Sequence, residues 1–455
     1  MTSTVDASVR IATPPAAAHL TTDVVVIGGG PAGMAATARA AEAGRRVVLL
    51  DEGPNVGGQI WRHRARASLG AEARRWLDRL SRSPAEVYHG LAVVDIVPSV
   101  GDGPITVVAE RHRGGPVDIV HAGALVLATG ARERFLPFPG WTLPGVIGIG
   151  GAQAMVKQGA SFARRRVVIA GTGPLMLPVA ATLSAAGARV VLVAEQARAS
   201  AVRDFALSLL WHPETLAQAA LYRLAFLRSP YEFDTWVTEA TGRDRVEAVM
   251  VSAGRRTRRV SCDLVCTGYG LVPNVELPRL VGCAVAEGAV VVNEQQATSV
   301  PGVFAAGEVT GVGGVSLALV EGEIAGAAAA GAVRPDSALV RRRAALRGVA
   351  ASLERTFAPR GELRSLARDD TIICRCEDVR LASVARLAGS RQAKLYSRAG
   401  MGACQGRVCG SALEFVLGWA PGTVRPPAEP ARLSTLAAAV PSTVDIAAST
   451  PTSGH

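Results

Sequence analysis

Short unbroken apolar runs, each closed by glycine and followed by a stretch of small residues, recur along the first two-thirds of the chain. Val24-Val25-Val26-Ile27 has no polar alternation, which is the pattern of a parallel strand covered on both faces. Gly28-Gly29-Gly30-Pro31-Ala32-Gly33 follows it, residues 34–43 predict a small-residue helix stopped at Gly44, and residues 47–50 predict a second strand ending at Asp51. The layout returns further on. Residues 167–170 form an apolar run, Gly171-Thr172-Gly173-Pro174-Leu175-Met176 a second glycine loop, residues to about 186 a helix, and residues 190–194 a strand ending at Glu195. This succession predicts an α/β protein with two dinucleotide-binding (Rossmann-like) domains.

Each position in the first loop answers a physical demand. Gly28 permits the tight turn, Gly30 lets main-chain N–H groups approach a pyrophosphate, and Gly33 allows the helix to lie close on the strand. Pro31 and Ala32 open the helix, whose N-terminus carries partial positive charge toward phosphate. Asp51, with Glu52 beside it, sits about twenty residues on, where a carboxylate accepts the hydroxyls of an adenosine ribose. Gly171, Gly173 and Glu195 repeat the arrangement. Met176, however, stands at the third-glycine position, where a side chain is expected to push the helix outward and disturb pyrophosphate docking. Nicotinamide binding at the second loop therefore stays open.

Composition changes the picture little. The 455 residues suffice for two to three domains. The net charge of +11 raises nucleic acid as a ligand, but Lys occurs only at 157 and 394, and the arginines are scattered without interleaved aromatics. A solvated basic surface or an acidic partner is the expectation instead. With no signal-peptide pattern, no apolar span of membrane length and no disulfide framework, the chain reads as cytoplasmic, with peripheral attachment at the inner membrane left open. His63, His121 and His212 are isolated and suggest no catalytic base, so catalytic residues stay unassigned.

The cysteines carry the remaining chemistry. Cys262 and Cys266 on an apparent strand, and Cys283, read as buried structural residues. Cys374-Arg375-Cys376 and Cys404-Gln405-Gly406-Arg407-Val408-Cys409 supply four thiols in one short module, the number that holds an iron–sulfur cluster. Zinc is the structural alternative, though zinc ribbons favour two-residue gaps in both pairs. A helix is expected over residues 381–388. Arg398, Arg407 and Lys394 are expected to offset the charge of a thiolate cluster.

Further motifs carry resemblances. Gly57-Gly58-Gln59, the approach to Ala128-Thr129-Gly130, and Val303-Phe304-Ala305-Ala306-Gly307-Glu308 resemble the flavin-nucleotide contacts of the flavoprotein family that includes thioredoxin and glutathione reductases. That resemblance implies FAD, or an adenine nucleotide in its place, at Gly58, Gln59, Thr129, Gly130, Gly307 and Glu308 as well as at the first loop. The family usually has Asp where this chain has Glu308. It also carries a redox disulfide, which this chain lacks. The module around Cys374, Cys376, Cys404 and Cys409 resembles the small [2Fe–2S] domain of bacterioferritin-associated ferredoxin, with a wider second gap.

Taken whole, residues 22–420 resemble the A-type subunits of opine oxidases, hydrogen cyanide synthases and proline or hydroxyproline dehydrogenases. The stretches Gly140-Trp141-Thr142-Leu143-Pro144-Gly145-Val146 and Arg398-Ala399-Gly400-Met401-Gly402-Ala403-Cys404 carry that likeness. It implies a [2Fe–2S] flavoprotein subunit that passes electrons from a second, substrate-oxidising FAD subunit. A small ferredoxin-like subunit is a further candidate partner. A self-contained NAD(P)H:acceptor reductase and a non-catalytic scaffold are the alternatives. The expected domains are a flavin domain (21–135 with 296–333), a second nucleotide domain (136–295), a basic connector (334–370) and the cluster module (371–420). Residues 1–20 and 421–455 are expected to be disordered.

Overall fold

The computed structural model describes residues 19–99, 101, 103–111, 117–211, 213–254 and 256–439. The expectations for residues 1–18 and 440–455, and for His212, lie outside the described residues.

The first domain is built on six consecutive strands: β1 (His19–Ile27), β2 (Val47–Asp51), β3 (Glu86–His89), β4 (Leu91–Val97), β5 (Ile105–Arg111) and β6 (Asp118–Leu127). They pair in the order β3-β2-β1-β6-β5-β4. The long strand β6 is shared. Its first half pairs antiparallel with β5, and its last three residues pair parallel with the late strand Val303–Ala305. The flavin-type motif near residue 305 is thereby returned to the centre of the first sheet. Helix α1 (Pro31–Glu42) covers one face and is itself covered by the helix Val315–Ala329. The interface is made of small residues. A Cβ on Gly322 or Gly326 would collide with the carbonyl oxygens of Ala32 and Ala36.

The chain leaves this domain through the strand Ala131–Glu133 and comes back through Leu271–Pro273, and these two strands pair antiparallel. Between them lies a parallel sheet containing Val146–Gly148, Arg166–Gly171, Arg189–Glu195 and Leu264–Gly268, with an antiparallel meander, Thr235–Thr241, Ala248–Ala253 and Arg256–Ser261, packed beside it. Val275, Val281, Cys283 and Val290, expected in the second domain, pack with Val25, Ile27 and Leu127 in the core of the first.

The basic connector, expected to be helical from about Arg341, is a 21-residue helix, Ser337–Phe357, capped by Asp336 through the Ala338 N–H. Two of its arginines are anchored inward. Buried Arg343 donates to the carbonyls of Asn293 and Glu294 and to Gln296, and Arg347 pairs at 2.7 Å with Glu321, which is only 1% exposed. Beyond it the structure departs from the sequence reading in three places. Residues 381–388 hold only a single 3₁₀ turn, Leu381–Ser383, and the helix forms instead over Ser390–Ser397, where Gln392 accepts from the Ala388 N–H just before the helix. His19 and Leu20 belong to β1. The tail is fixed at least to residue 439: Arg432 and Thr435 both bond Glu110 on β5, Ala428 donates to the Val94 carbonyl on β4, and Leu433–Ala439 is helical. A Pro/Ala-rich composition conceals such anchoring, because a few ion pairs and hydrogen bonds to a distant sheet leave no local pattern.

The small-residue interface yields the first prediction. Replacing Gly326 by Ala forces the helix Val315–Ala329 away from α1 and lowers stability by about 1–3 kcal/mol, measurable by chemical denaturation.

Candidate functional site

The first glycine loop is assembled as its sequence requires. Gly28 has φ +101°, and a Cβ there would collide with the Ala128 carbonyl; one on Gly33 would collide with that of Gly28. Helix α1 begins at Pro31, with Gly30 extended before it and no side chain capping its N–H groups. These N–H groups are left for an anion. Gly58 closes the loop from the other side, where its Cβ would lie 3.0 Å from the Gly30 Cα, and the Gly57 N–H donates to Gly29 at 2.7 Å. Gly307 comes in from the late strand, where a Cβ would lie 2.7 Å from that of Ala32. Gly28, Gly30, Pro31, Ala32, Gly33, Gly58 and Gly307 are thus brought around one cradle.

The polar residues are arranged less uniformly. Asp51 accepts from the N–H groups of Gly29 and Gly53, and burial pushes its carboxyl up against the lowering effect of those two donors. Glu52 and Gln59 are exposed, and Gln59 accepts from Arg62 rather than facing the loop. Glu308 folds back to accept from the Gly314 N–H at 3.1 Å; burial pushes its carboxyl up. The longer side chain at this position is what lets it reach the start of the helix Val315–Ala329. Sequence reading passed over His89. It is the register partner of Asp51, its Nδ1 is buried without a hydrogen-bond partner, and burial holds its pKa down against the pull of Asp51. An unpartnered ring nitrogen beside the acid expected at the ribose fits an adenosine at this end of the sheet. Together with the open cradle, it makes the site compatible with an adenine dinucleotide.

Thr129 and Gly130 lie where the two domains join. The Thr129 hydroxyl donates to the Asn274 carbonyl at 2.8 Å, the Asn274 side chain donates back to the Thr129 carbonyl at 2.9 Å, and the Asn274 N–H donates to the Gly130 carbonyl at 2.9 Å. Asn274 also accepts from Arg132 at 2.8 Å, and the Arg132 Nε donates to the carbonyl of Arg407 at 3.1 Å. Two hydrogen-bonded side chains therefore span from the first nucleotide motif to the loop between Cys404 and Cys409.

The cysteine module is docked at that junction. The Trp141 indole N–H donates to the Ile372 carbonyl at 2.6 Å, and the Arg375 guanidinium lies 5.0 Å from the Trp141 ring centroid and 5.8 Å from that of Phe135. Cys374 and Cys409 are buried, Cys404 is half-buried and Cys376 is exposed. Among the described residues, no three or more His, Cys, Asp or Glu side chains gather as a set of metal ligands. The thiols interact with one another: Cys404 and Cys374 act on Cys376, and Cys374 and Cys404 act on Cys409. Burial raises the Cys404 pKa, yet the N–H groups of Val408, Gly406 and Arg407 and the Cys376 thiol outweigh it and hold Cys404 below the usual thiol range. Converging main-chain donors of this kind suit a sulfur that carries negative charge. Two of the basic residues of the module are ion-paired, Arg398 with Glu377 at 2.7 Å and Arg407 with Glu429 at 2.9 Å.

At the second loop, Gly171 and Gly173 make the expected turn, and Glu195 accepts from the N–H groups of Gly173 and Ala197, each at 2.8 Å. Met176 is wholly buried in the core of this domain with Ile169 and Val179. The helix Met176–Ala185 accordingly starts five residues after Gly171, whereas α1 starts three after Gly28.

Residues 22–332 match the sequence family described as pyridine nucleotide-disulphide oxidoreductase. The chain belongs to that family. It is an oxidoreductase with the family's FAD- and NAD(P)-binding fold. It is 34% identical over 427 residues to hydrogen cyanide synthase subunit HcnB of Pseudomonas aeruginosa, covering 85% of this chain and 90% of that one. It is 32% identical over 466 residues to the A-type subunit of the opine oxidase of Rhizobium meliloti, covering 91% and 87%. Among solved structures, L-proline dehydrogenase from P. horikoshii shares the fold with a TM-score of 0.67 at 19% identity, over 93% of this chain and 81% of that one. Among the described residues no helix is long and apolar enough to cross a membrane, and attachment at the inner membrane finds no support.

Glu195 gives this site a pH signature. Burial raises its pKa from 4.5 to about 7, so the folded chain holds a proton that the unfolded chain releases. The stabilisation is complete below pH 4.5 and is lost as pH rises to about 7, a change of roughly 3 kcal/mol. Glu195→Gln should flatten the fall in melting temperature between pH 5 and pH 8.

Proposed function

We propose that this chain is the electron-transfer subunit of a heteromeric flavin-dependent dehydrogenase or oxidase acting on the C–N bond of an opine, amino acid or imino acid. The observation that carries the reading is the bridge from Gly130 through Asn274 and Arg132 to the cysteine loop, which couples a nucleotide site to a four-thiol module within one chain. The polar groups of the first site also favour a relay. Asp51, Thr129 and Glu308 all hold main-chain partners, and so serve to hold the loop and its ligand. Likeness over most of the chain to hydrogen cyanide synthase subunit HcnB and to the A-type subunit of opine oxidase supports a partner that oxidises the substrate.

In this reading FAD, or an adenine nucleotide in its place, lies in the cradle of Gly28, Gly30 and Gly33, with its ribose toward Asp51. Cys374, Cys376, Cys404 and Cys409 would hold a [2Fe–2S] cluster, which takes four thiolates. Such a cluster accepts one electron at a time from a flavin that takes up two. The chain's own residues position the two sites: Arg132 and Asn274 fix the distance, and Trp141 and Arg375 hold the module against the domain junction.

Three measurements test the reading. Co-expression with the product of the adjacent gene should yield a complex that reduces a dye in the presence of an opine, amino acid or imino acid, while the isolated chain does not. A complex inactive across those three substrate classes refutes it. Cys376→Ser and Cys404→Ser should each abolish the EPR signal that dithionite develops in the anaerobic wild-type chain; a colourless wild type containing zinc would remove the relay. Arg132→Ala should retain both chromophores and lower dye reduction by the complex about tenfold.

A further inference from the structure

The helix Ser337–Phe357 ends over the second glycine loop, and residues 358–360 continue along it, bonded to Gln196. A Cβ on Gly173 would sit 3.8 Å from both Cβ and Cγ of Phe357. The Phe357 carbonyl accepts from the Thr172 hydroxyl at 3.0 Å, and the Ala358 carbonyl accepts from the Gln196 side-chain nitrogen at 3.1 Å. The Arg360 N–H donates to the Gln196 side-chain oxygen at 3.1 Å, and its guanidinium pairs with Asp234 at 2.8 Å and lies 4.9 Å from the Trp236 ring centroid. Phe357 meets Phe205 edge to face, with centroids 5.5 Å apart. Among the described residues no segment covers the first loop in this way; the nearest atom to a Cβ on Gly30 is the Gly58 Cα at 4.0 Å.

We infer that residues 357–360 are an intrachain occupant of the second nucleotide loop, which shuts that loop to NAD(P)(H) unless the strap is displaced. The two strap carbonyls accept hydrogen bonds from the turn and from the end of the second strand, as phosphate and ribose oxygens of a dinucleotide would do. They take both places at once, over Thr172 and Gly173 at the turn and over Gln196 next to the acid Glu195. Thr172 is 5% exposed and Gln196 fully buried, so the donors meant for a ligand are already spent. A free nucleotide competes with a segment tethered in place, whose effective concentration is in the millimolar range or above. The strap thus acts on donor choice: it holds the nicotinamide route closed and leaves the electrons to come from another subunit. This goes beyond the function proposed above and holds whatever substrate that subunit takes.

The test is direct binding by the full-length chain, followed by NADH and NADPH fluorescence and by calorimetry, with no substrate or dye present. Phe357→Ala combined with Arg360→Ala removes the aromatic and ionic anchors of the strap. Phe357→Ala alone, which removes the aromatic cover of the turn and leaves the Arg360 ion pair intact, serves should the double variant fail to fold. Wild type should show no saturation below about 1 mM, and the variants should bind at least about tenfold more tightly. Equal affinity in wild type and variants, whether measurable or not, overturns the inference, as does saturation of the wild type at micromolar nucleotide.

Discussion

Helix α1 is held between the first sheet and the helix Val315–Ala329 with room for main chain only, and the rest of the site depends on that squeeze. On one flank Gly33 meets the carbonyl of Gly28; on the other, Gly322 and Gly326 meet those of Ala32 and Ala36. Dispersion falls off steeply with separation, so one added methyl on either flank would move the helix and, with it, the N–H groups aimed at the nucleotide. The same contact ties chain ends together: the outer helix comes some 280 residues after α1, and Gly307, just before it, completes the cradle beside Ala32.

A buried ionic latch reinforces this arrangement from outside. Glu321, on the outer helix, accepts from the Gly307 N–H and the Thr310 hydroxyl and pairs with Arg347. Burying a carboxylate is unfavourable unless its lone pairs are filled, and here three donors fill them. Arg347 and Arg343 in turn fix the long helix to the first domain, which sets where Phe357 lands on the second. The connector therefore joins three tasks in one element: it locks the late motif, spans the two domains and covers the second loop.

The contrast between the two glycine loops shows how one fold serves two purposes. Both have the strand, the tight turn and the acid. In the first, Gly33 lets the helix begin at once, and among the described residues no segment covers the loop in this way. In the second, Met176 enters the core, the helix starts later, and a phenylalanine from elsewhere in the chain stands over the turn. The second domain then works as a platform, with Trp141 holding the cysteine module and Trp236 holding Arg360.

Local chemistry was legible in the chain itself. The apolar runs at 24–27 and 167–170 have to be buried strands, and Gly28, Gly33 and Gly171 mark places where only hydrogen fits, because strand burial and close helix contact depend on neighbouring residues alone. The four cysteines declared themselves by number and spacing. What depends on distant residues meeting was not legible. Nothing in the local pattern marks His89 as the neighbour of Asp51, Asn274 as the clasp of Thr129, Arg132 as the link to the cysteine loop, or Glu110 as the anchor of the tail. Val275, Val281, Cys283 and Val290 read as an ordinary continuation of the second domain, yet they pack in the core of the first. Residues 357–360 carry no motif; their role arises because a helix of a certain length, pinned by two arginines at one end, delivers its last turn to a loop nearly two hundred residues earlier. Sequence alone determined which turns are tight and which strands are buried, since those are properties of short segments; tertiary structure alone decided what lies over each loop, because that is set by what the rest of the chain lays across it.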